Sequence, residues 1–376
     1  MDLQRLFSPE SVAVVGASPH LGGGKMPYYQ IFQMAGYKGR LYPVNPKYTE
    51  ISGVKVYPTL DDIPEPVDLA IVGVPAGKAL ETVEAAARKG IKFIHFFTSG
   101  FSEIGNVELE KAMLKAAHKG GTRIIGPNCI GVHCTGSAVT CDVPKSPLTG
   151  IGKVAFLGQS GGMTHNFMRM ANSRKLELNK VVSYGNQIDL KVEDYLEYLA
   201  DDDTVRVIAA YIEDIKNGRR FIEALKKTTA KKPVVILKGG ITEQGARAAA
   251  SHTGAMAASH EIWTAVMRQN HGIEAVNFEQ MVDLTMMSLR LHPGSREDTG
   301  RVQTRLPGCR RRDIRALHRY ILSGRFIASG ALRWSPKAYQ RAHKQREHQH
   351  HEPRGSWVLR LRFHHHGPYH RGHGPR

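Results

Sequence analysis

The feature that most constrains the fold is a series of short apolar segments separated by helical stretches, which runs through the chain twice. The first round comprises residues 12–16, 41–44, 68–74, 92–97 and 123–126. The second round comprises residues 153–158, 181–185, 205–213, 233–238 and 273–276. Strands that alternate with helices at this spacing predict parallel sheets covered by helices. We therefore expect two consecutive α/β domains, each built on a parallel sheet.

The boundaries follow from the segment between the two rounds. Residues 134–150, CTGSAVTCDVPKSPLTG, contain proline and glycine but show no apolar period. We assign residues 1–135 to the first domain, residues 150–292 to the second and residues 293–376 to a C-terminal tail. Ligands of open parallel sheets bind at the carboxyl ends of the strands. Functional residues are therefore expected in the turns that follow strands.

The tail carries most of the positive charge. Residues 301–376 hold 18 lysine and arginine residues against 3 acidic residues, which is +15 of the formal net charge of +18. In the tail, arginine replaces lysine as the main basic residue, and apolar residues do not recur with the period of a buried helix or strand. We therefore expect largely irregular structure. A basic nucleic-acid arm and a lost reading frame both fit this composition. The abrupt change near residue 300 favours the lost frame, so nucleic-acid binding is not expected.

Other sequence features favour a cytoplasmic protein. No apolar run approaches the roughly 20 residues that a membrane span needs. The chain begins without a charged and then apolar leader, which argues against secretion. The four cysteines (Cys129, Cys134, Cys141 and Cys309) form no CxxC pair. They are typical of reduced thiols rather than of a disulfide framework or a zinc site.

The turns after the first two strands predict a ligand that carries phosphate. Gly16, Ala17 and Ser18 follow the first strand, where a glycine lets the backbone turn tightly and approach a phosphate group. The second strand lacks the acid that an NAD site uses for the ribose and is flanked by Arg40 and Lys47. Basic groups there favour NADP or coenzyme A, although a plain surface loop remains an alternative. The missing acid and the absent GxGxxG pattern count against a dehydrogenase.

The remaining strand ends of the first domain carry small and hydroxyl-bearing residues, along which a long ligand could lie. They are Val74, Pro75, Ala76, Thr98, Ser99, Gly100 and Asn128. Asn128 closes the stiff turn of residues 126–128, whose amide could bond a polar ligand group. A purely structural turn explains Asn128 nearly as well.

The second domain offers a phosphate cradle, an acid and an unusual histidine. Ser160, Gly161 and Gly162 begin a helix after a strand, where backbone amides would meet a phosphate, although an empty turn is the alternative. Glu213 follows a buried strand and could equally be a surface acid. His252 stands among small residues in AAASHTGAMAAS, where a solvated side chain is the ordinary expectation. An imidazole that is partly unprotonated at neutral pH is nevertheless a competent nucleophile toward a phosphoryl group.

Seven motifs run in order from about residue 8 to about residue 290: VAVVGAS, YPVNPK, VPA, IIGPNCIGV, GKVAFLGQSGGMT, YIEDIKNGRRF and KPVVILKGG…GARAAASHTGA. This ordered set resembles the α subunit of succinyl-CoA synthetase. It resembles still more the α part of the NDP-forming acyl-CoA synthetases of the acetate:CoA ligase (ADP-forming) type. The resemblance implies a Rossmann-like CoA-binding domain and then a flavodoxin-like ligase domain. It also implies that His252 is phosphorylated, that Glu213 hydrogen-bonds its ring, and that residues 183–189 lie near the acyl group.

The reaction that the resemblance implies is acyl-CoA + phosphate + ADP ⇌ carboxylic acid + CoA + ATP, through an acyl phosphate and a phosphohistidine. The sequence contains no P-loop and no stretch long enough for an ATP-grasp domain. The resemblance therefore places ATP or ADP, with Mg²⁺, on a β subunit or separate chain of a hetero-oligomer. It also implies a third domain, which should begin near residue 300, where this sequence departs into the tail.

Two alternatives follow from that departure: an inactive remnant of the ligase, and a non-catalytic protein that binds CoA or a nucleotide. The presence of Glu213 and of residues 251–254 favours the ligase, because a pure binding protein needs neither. The sequence sets neither the acyl group nor the choice between ADP and GDP.

Overall fold

The computed structural model describes residues 2–19, 27–140, 151–240 and 260–291. His252 and the tail lie outside these ranges. The helices in them are α1 (Gln4–Phe7), α2 (Tyr28–Ala35), α3 (Ala79–Lys89), α4 (Val107–Lys119), α5 (Gly161–Ser173), α6 (Val192–Ala200), α7 (Gly218–Thr229), α8 (His260–Gln269) and α9 (Phe278–Leu291). Within the described part of the chain, none of them is both long and apolar enough to cross a bilayer.

The strands form two large sheets and one small hairpin. They are β1 (Ser11–Val15), β2 (Arg40–Val44), β3 (Glu50–Ile51), β4 (Val54–Lys55), β5 (Leu69–Val72), β6 (Phe93–Phe96), β7 (Arg123–Ile125), β8 (Gly131–Cys134), β9 (Val139–Thr140), β10 (Val154–Gly158), β11 (Leu178–Ser183), β12 (Val207–Ile212), β13 (Val234–Lys238) and β14 (Ile273–Ala275). The strands β3 and β4 pair only with each other.

The first sheet is parallel and has the order β2-β1-β5-β6-β7. All four residues of β5 and of β6 are buried, because helices cover both faces of a parallel sheet. Counted along the chain, the strand order is 2-1-3-4-5, which reverses direction between β1 and β5. Ligands of doubly wound folds bind at such a reversal, outside the carboxyl ends of the two strands. The predicted turn of residues 16–18 follows β1 and therefore lies at this point.

The second sheet repeats the same arrangement and extends it. Its order is β14-β13-β12-β10-β11-β8-β9, and its five strands from β10 to β14 are parallel. They too follow the order 2-1-3-4-5 of flavodoxin-like folds, with the reversal between β10 and β12. Ser160 follows β10 and Glu213 follows β12, so both predicted residues lie at the reversal. The expectation of a Rossmann-like domain followed by a flavodoxin-like domain is confirmed.

Two antiparallel strands of the second sheet come from an unexpected part of the chain. Strand β8 pairs with β11, with Cys134 opposite Lys180, and β9 pairs with β8. Sequence analysis placed these residues at the end of the first domain and in the segment 134–150. The second sheet therefore includes residues from Gly131 onward, before the expected boundary at residue 135. Such short strands have too little periodicity to show which sheet they join.

The two domains share an apolar core. Phe7 of α1 stacks on Tyr198 of α6, with the ring centroids 5.3 Å apart. The Tyr198 hydroxyl donates to Gln4 Oε1 at 3.1 Å, and Ser137 Oγ donates to the carbonyl of Phe7 at 2.6 Å. An aromatic pair contributes about 0.5–1.5 kcal/mol beyond the area that it buries. The N-terminal helix therefore helps to hold the second domain against the first.

A buried carboxylate makes a second link between the domains. Asp189 follows the 184–188 loop of the second domain, and its side chain is 3% exposed. Arg123 donates to it from Nε at 2.8 Å and from Nη2 at 2.7 Å, the Ile124 amide donates at 2.9 Å, and His118 Nε2 lies 3.0 Å away. Burial opposes ionisation, but these hydrogen bonds outweigh it and hold the pKa of Asp189 below its ordinary value.

A third link between the domains is the close packing of Gly185 against the segment 127–128, which leaves no room for a side chain at residue 185. Gly185 has a φ of +49°, and a Cβ added to it would overlap the carbonyl oxygen of Pro127 and lie 2.6 Å from that of Asn128. We expect Gly185→Ala to lower the free energy of unfolding by roughly 2–3 kcal/mol, because it combines a left-handed backbone with overpacking. Urea denaturation measures this loss.

Gly53→Ala is the matched control for that substitution. Gly53 also has a positive φ, of +77°, but nothing lies within 4 Å of a Cβ added there. It should therefore show the cost of the left-handed backbone alone, about 1 kcal/mol. Equal losses in the two variants would contradict the close packing of Gly185 against the first domain.

Candidate active site

The first cleft lies where the order of the first sheet reverses. The Gly16 amide donates to the carbonyl of Val44 at 2.9 Å, which continues the pairing of β1 with β2. Gly16 has a φ of +88°, and a Cβ added there would lie 3.1 Å from the carbonyl oxygen of Gly73 and 3.2 Å from Val74 Cγ1. Only glycine fits between the ends of β1 and β5 without displacing a neighbour. The position keeps side chains out of the cleft and suits a ligand that meets backbone directly.

A residue that sequence analysis did not select organises the next turn. Asn45 Nδ2 donates to the carbonyl of Ala17 at 2.7 Å, and Asn45 Oδ1 accepts from the Lys47 amide at 3.0 Å. Ser18 is held through its carbonyl, which accepts from Gln30 Nε2 at 2.7 Å. Lys47 is exposed at the carboxyl end of β2 and can meet an anionic ligand. The Asn-Pro pair in YPVNPK was the available signal for Asn45, because asparagine bonds to the backbone two residues on.

The backbone of Arg40 lies at the other edge of the first sheet. Arg40 begins β2 opposite Ser11, and its amide donates to the carbonyl of Glu10 at 2.9 Å. Since the strands are parallel, the start of β2 lies at the amino edge of the sheet. A strand of this length spans about 13 Å, which separates Arg40 from Lys47. The structure therefore separates the two basic residues that sequence analysis grouped at one site, and ligand binding by Arg40 stays a prediction.

The other three predicted turns of the first domain lie side by side along the carboxyl edge. Thr98 Oγ1 donates to the carbonyl of Val74 at 2.5 Å, and the Asn128 amide donates to the carbonyl of Thr98 at 3.0 Å. A Cβ added to Gly100 would lie 3.1 Å from the Cβ of Ala76. Ser99 and Pro75 are exposed on the same turns. The resulting row of turns suits an extended ligand.

The second cleft begins at helix α5. Ser160 caps the helix, and its Oγ accepts from the Met163 amide at 3.4 Å. Nothing lies within 4 Å of a Cβ added to Gly162, whereas a Cβ added to Gly161 would lie 3.3 Å from Ile130 Cγ2. The first turn of the helix is therefore open on one side and packed on the other. Free first-turn amides and the helix dipole favour an anion at such a position.

Gln159 joins that helix start to Glu213. Its side chain is buried, and its Oε1 accepts from the amides of Glu213 and Asp214 at 2.8 Å each. Its own amide donates to the carbonyl of Tyr211 at 3.1 Å. Three hydrogen bonds therefore fix the end of β12 beside residues 160–162, the predicted phosphate turn. The expected neighbourhood of Ser160 and Glu213 has a specific physical cause that the sequence did not reveal.

Two further residues hold Glu213. The Tyr211 hydroxyl hydrogen-bonds the Glu213 carboxylate, and burial together with this negative charge raises the pKa of Tyr211. Lys238 Nζ donates to the carbonyls of Glu213 and Gly239 at 2.7 Å each, and burial lowers the pKa of Lys238. A Cβ added to Gly239 would lie 3.2 Å from Glu213 Cγ. The backbone that leads into residues 241–259, the segment of His252, therefore starts beside the Glu213 side chain.

The two clefts have a common wall, the segment 126–130 of the first domain. The Ile130 amide donates to Ser183 Oγ at 3.4 Å, and Ile130 packs against Gly161. Asn128 Nδ2 lies 3.4 Å from Asn186 Oδ1 in the loop 184–188. A ligand along the first cleft can therefore present its end to the start of α5. Within the described ranges, no group of three side chains is arranged to hold a metal ion.

Comparison with known families agrees with this geometry. Residues 10–135 match the family described as CoA binding domain, and residues 151–288 match the succinyl-CoA ligase like flavodoxin domain. The chain therefore carries a CoA binding domain followed by a succinyl-CoA ligase like flavodoxin domain.

Comparison with individual proteins gives the extent of the similarity. The chain is 40% identical over 289 residues to the α subunit of acetate–CoA ligase (ADP-forming) II from Pyrococcus furiosus, covering 75% of this chain and 62% of the relative. It is 38% identical over 291 residues to acetate–CoA ligase (ADP-forming) I from Archaeoglobus fulgidus, covering 77% and 42%. Among solved structures it is similar to the dinucleotide forming acetyl-coenzyme A synthetase 1 of Ca. Korarchaeum cryptofilum, in complex with phosphate and ADP. That match has a TM-score of 0.72 and 37% identity, covering 76% and 62%. The chain thus spans between 42% and 62% of the length of these relatives.

Proposed function

We propose that this chain is the α component of an NDP-forming acid–thiol ligase. The reaction is acyl-CoA + phosphate + NDP ⇌ carboxylic acid + CoA + NTP. The observation that carries the proposal is the common wall at residues 126–130, which joins a CoA-type cleft to a helix start suited to phosphate. The resemblance of both domains to ADP-forming acetate–CoA ligases supports the same reaction.

The first chemical step takes place where the clefts meet. Coenzyme A lies along the turns of Gly16, Val74, Thr98 and Asn128, with its thioester toward the second domain. A phosphate oxygen attacks the thioester carbonyl, the carbon–sulfur bond breaks, and the thiolate leaves and takes up a proton. The products are an acyl phosphate and CoA. The first-turn amides of α5 hold the phosphate, and their fixed dipoles stabilise its charge as the bond forms.

The second step moves the phosphoryl group to His252. A ring nitrogen attacks phosphorus, the carboxylate leaves, and the phosphohistidine then passes the group to the NDP. Glu213 accepts a hydrogen bond from the other ring nitrogen, which fixes the tautomer that attacks. The carboxylate is suited to this role because Tyr211, Gln159 and Lys238 hold its side chain and backbone.

The remaining components are assigned to a partner. We infer that a β subunit of the ATP-grasp type binds the nucleotide with Mg²⁺ and forms a hetero-oligomer with this chain. Two of the relatives are named as α subunits, which supports a partner chain. We place the reaction in the cytoplasm, because Cys129 and Cys134 are buried thiols that form no disulfide within the described residues, as is usual in a reducing compartment.

Labelling of the wild-type chain tests the proposal. The full chain, mixed with an ATP-grasp partner and γ-labelled ATP, should acquire acid-labile and base-stable label in the peptide that contains His252. Added CoA and carboxylic acid should then discharge that label. A chain that binds CoA but acquires no label would instead be a binding protein or an inactive remnant.

Replacing the groups that orient His252 should slow phosphorylation in a graded way. We expect Glu213→Gln to reduce the rate of label incorporation by roughly 10–100-fold, the usual cost of losing a carboxylate that orients an imidazole. Tyr211→Phe removes one hydrogen bond, worth about 1 kcal/mol, and should cost about fivefold. Rapid-quench labelling measures both rates.

Tyr37→Phe is the control for the loss of a tyrosine hydroxyl. Tyr37 donates to the carbonyl of Pro9 at 2.9 Å in the first domain, away from Glu213. This variant should label at the wild-type rate. An undiminished rate in Glu213→Gln would show that the carboxylate does not orient the histidine.

A further inference from the structure

We propose that Asn186 is a positioning residue that aligns the acyl-thioester end of the CoA cleft with the phosphate turn. This role deepens the proposed function and rests on it. Asn186 belongs to the second domain, yet its side chain lies among residues of the first. Nδ2 lies 2.6 Å from Glu103 Oε2, 2.8 Å from Glu110 Oε1 and 3.3 Å from Ser102 Oγ.

The two carboxylates in turn fix the CoA-side turn. Glu103 Oε1 accepts from the Gly100 amide at 2.5 Å and from the Phe101 amide at 3.2 Å. Burial opposes ionisation of Glu103, but the hydrogen bonds from Gly100 and Asn186 outweigh it and lower its pKa. Glu110 Oε1 accepts from Ser102 Oγ at 2.8 Å and from the Ser102 amide at 3.2 Å. A single amide group of the second domain therefore holds the turn that contains Gly100.

The other end of the Asn186 side chain reaches a second turn of the same cleft. Asn186 Oδ1 accepts from Asn128 Nδ2 at 3.4 Å, and the Asn186 amide donates to the carbonyl of Pro127 at 3.0 Å. The side-chain orientation is determined chemically, because ionised carboxylates only accept hydrogen bonds and the NH₂ group must face them. Asn186 thus holds the 98–103 and 126–128 turns together at the domain boundary.

This position explains why an amide is needed. Glu103 and Glu110 point at one site, and a group that donates two hydrogen bonds satisfies both without adding charge. An isosteric carboxylate would remove both donors and place three negative groups together. The turns would separate, and the thioester would move relative to the phosphate. A misplacement of about 1 Å at reacting atoms can cost about 100-fold in rate.

The experiment compares two half-reactions of the full chain with its ATP-grasp partner. The first is phosphorylation of His252 by γ-labelled ATP without CoA. The second is phosphorylation of His252 by acyl-CoA and labelled phosphate. For Asn186→Asp we expect the second rate to fall about 100-fold and the first to stay within about threefold. Asn186→Ala, which adds no charge, should lose about tenfold in the second rate only.

Two comparisons separate positioning from general damage. The deficit of Asn186→Asp in the second half-reaction should shrink toward that of Asn186→Ala as the pH falls from 8 to 5, because one of three clustered carboxylates then takes up a proton. Asn179→Ala removes a buried amide that donates to the carbonyl of Gly152 at 2.9 Å, at the opposite end of β11. It should affect both half-reactions equally.

Equal losses in both half-reactions for the Asn186 variants, or no loss in either, would overturn the positioning role alone. Wild-type protein that acquires no label from ATP or from acyl-CoA and phosphate would overturn the proposed function, and this role with it.

Discussion

His252→Ala is expected to acquire no acid-labile label, either from γ-labelled ATP or from acyl-CoA with labelled phosphate. Both half-reactions use the same ring nitrogen, and alanine offers no nucleophile in its place. Removal of a covalent nucleophile costs on the order of 10⁴- to 10⁶-fold, so net turnover should fall below detection. Scintillation counting of the quenched protein measures the label, and a coupled ATP assay measures turnover.

Binding of CoA should survive this substitution, because the turns that line its cleft belong to the other domain. Calorimetric titration should give a dissociation constant for CoA within about twofold of the wild-type value. His260→Ala is the matched control, since His260 lies at the start of α8 with its Nδ1 3.8 Å from Glu274. Label that persists in His252→Ala, or disappears in His260→Ala, would assign the phosphoryl carrier to a different residue.

Asp189→Ala is expected to lower the free energy of unfolding by about 3 kcal/mol. The substitution leaves the Arg123 guanidinium without its bidentate partner and the Ile124 amide without an acceptor. Breaking a buried ion pair costs about 3–5 kcal/mol. The lower value applies because the Arg123 side chain is 26% exposed. Urea denaturation followed by circular dichroism measures the change.

The same carboxylate should make stability depend on pH. The folded-state pKa of Asp189 is lowered, so its contribution is complete above the unfolded value of about 3.9 and is lost as the pH falls through the folded value. Wild-type protein should therefore lose this contribution below about pH 4, and Asp189→Asn should lack that part of the decline.

Asp283→Ala removes an exposed partner of Arg174 and should cost less than about 1 kcal/mol. Similar losses for Asp189→Ala and Asp283→Ala would show that the buried link contributes little.

The sequence was sufficient for the fold because each sheet is built from local signals. Runs such as residues 12–16 and 153–158 are mostly apolar and end in glycine, and they form most of β1 and β10. The antiparallel strands β8 and β9 gave no such signal. The place of β8 beside β11, on which β9 also depends, rests on contacts with residues more than 40 positions away.

The candidate site likewise contains residues that the sequence predicts and residues that it does not. Gly16, Ser160 and Glu213 follow strands within two residues, so strand direction alone places them at the carboxyl edge. Arg40 is the first residue of its strand, so the same reasoning about direction places its backbone at the opposite edge. The side chains of Gln159 and Asn186 act across elements that are distant in the sequence. No local pattern distinguishes them from ordinary polar residues.

The crossing of the chain into the second sheet at Gly131 has a consequence for dissecting the protein. A fragment that begins at residue 150 would lack β8 and β9. The six buried residues of β11 would then form an exposed edge strand with unpaired backbone groups. An exposed edge strand pairs with strands of other polypeptide chains and promotes aggregation. The second domain is therefore not an autonomous unit that can be cut at residue 150, and a fragment of it needs β8 and β9 to cover this edge.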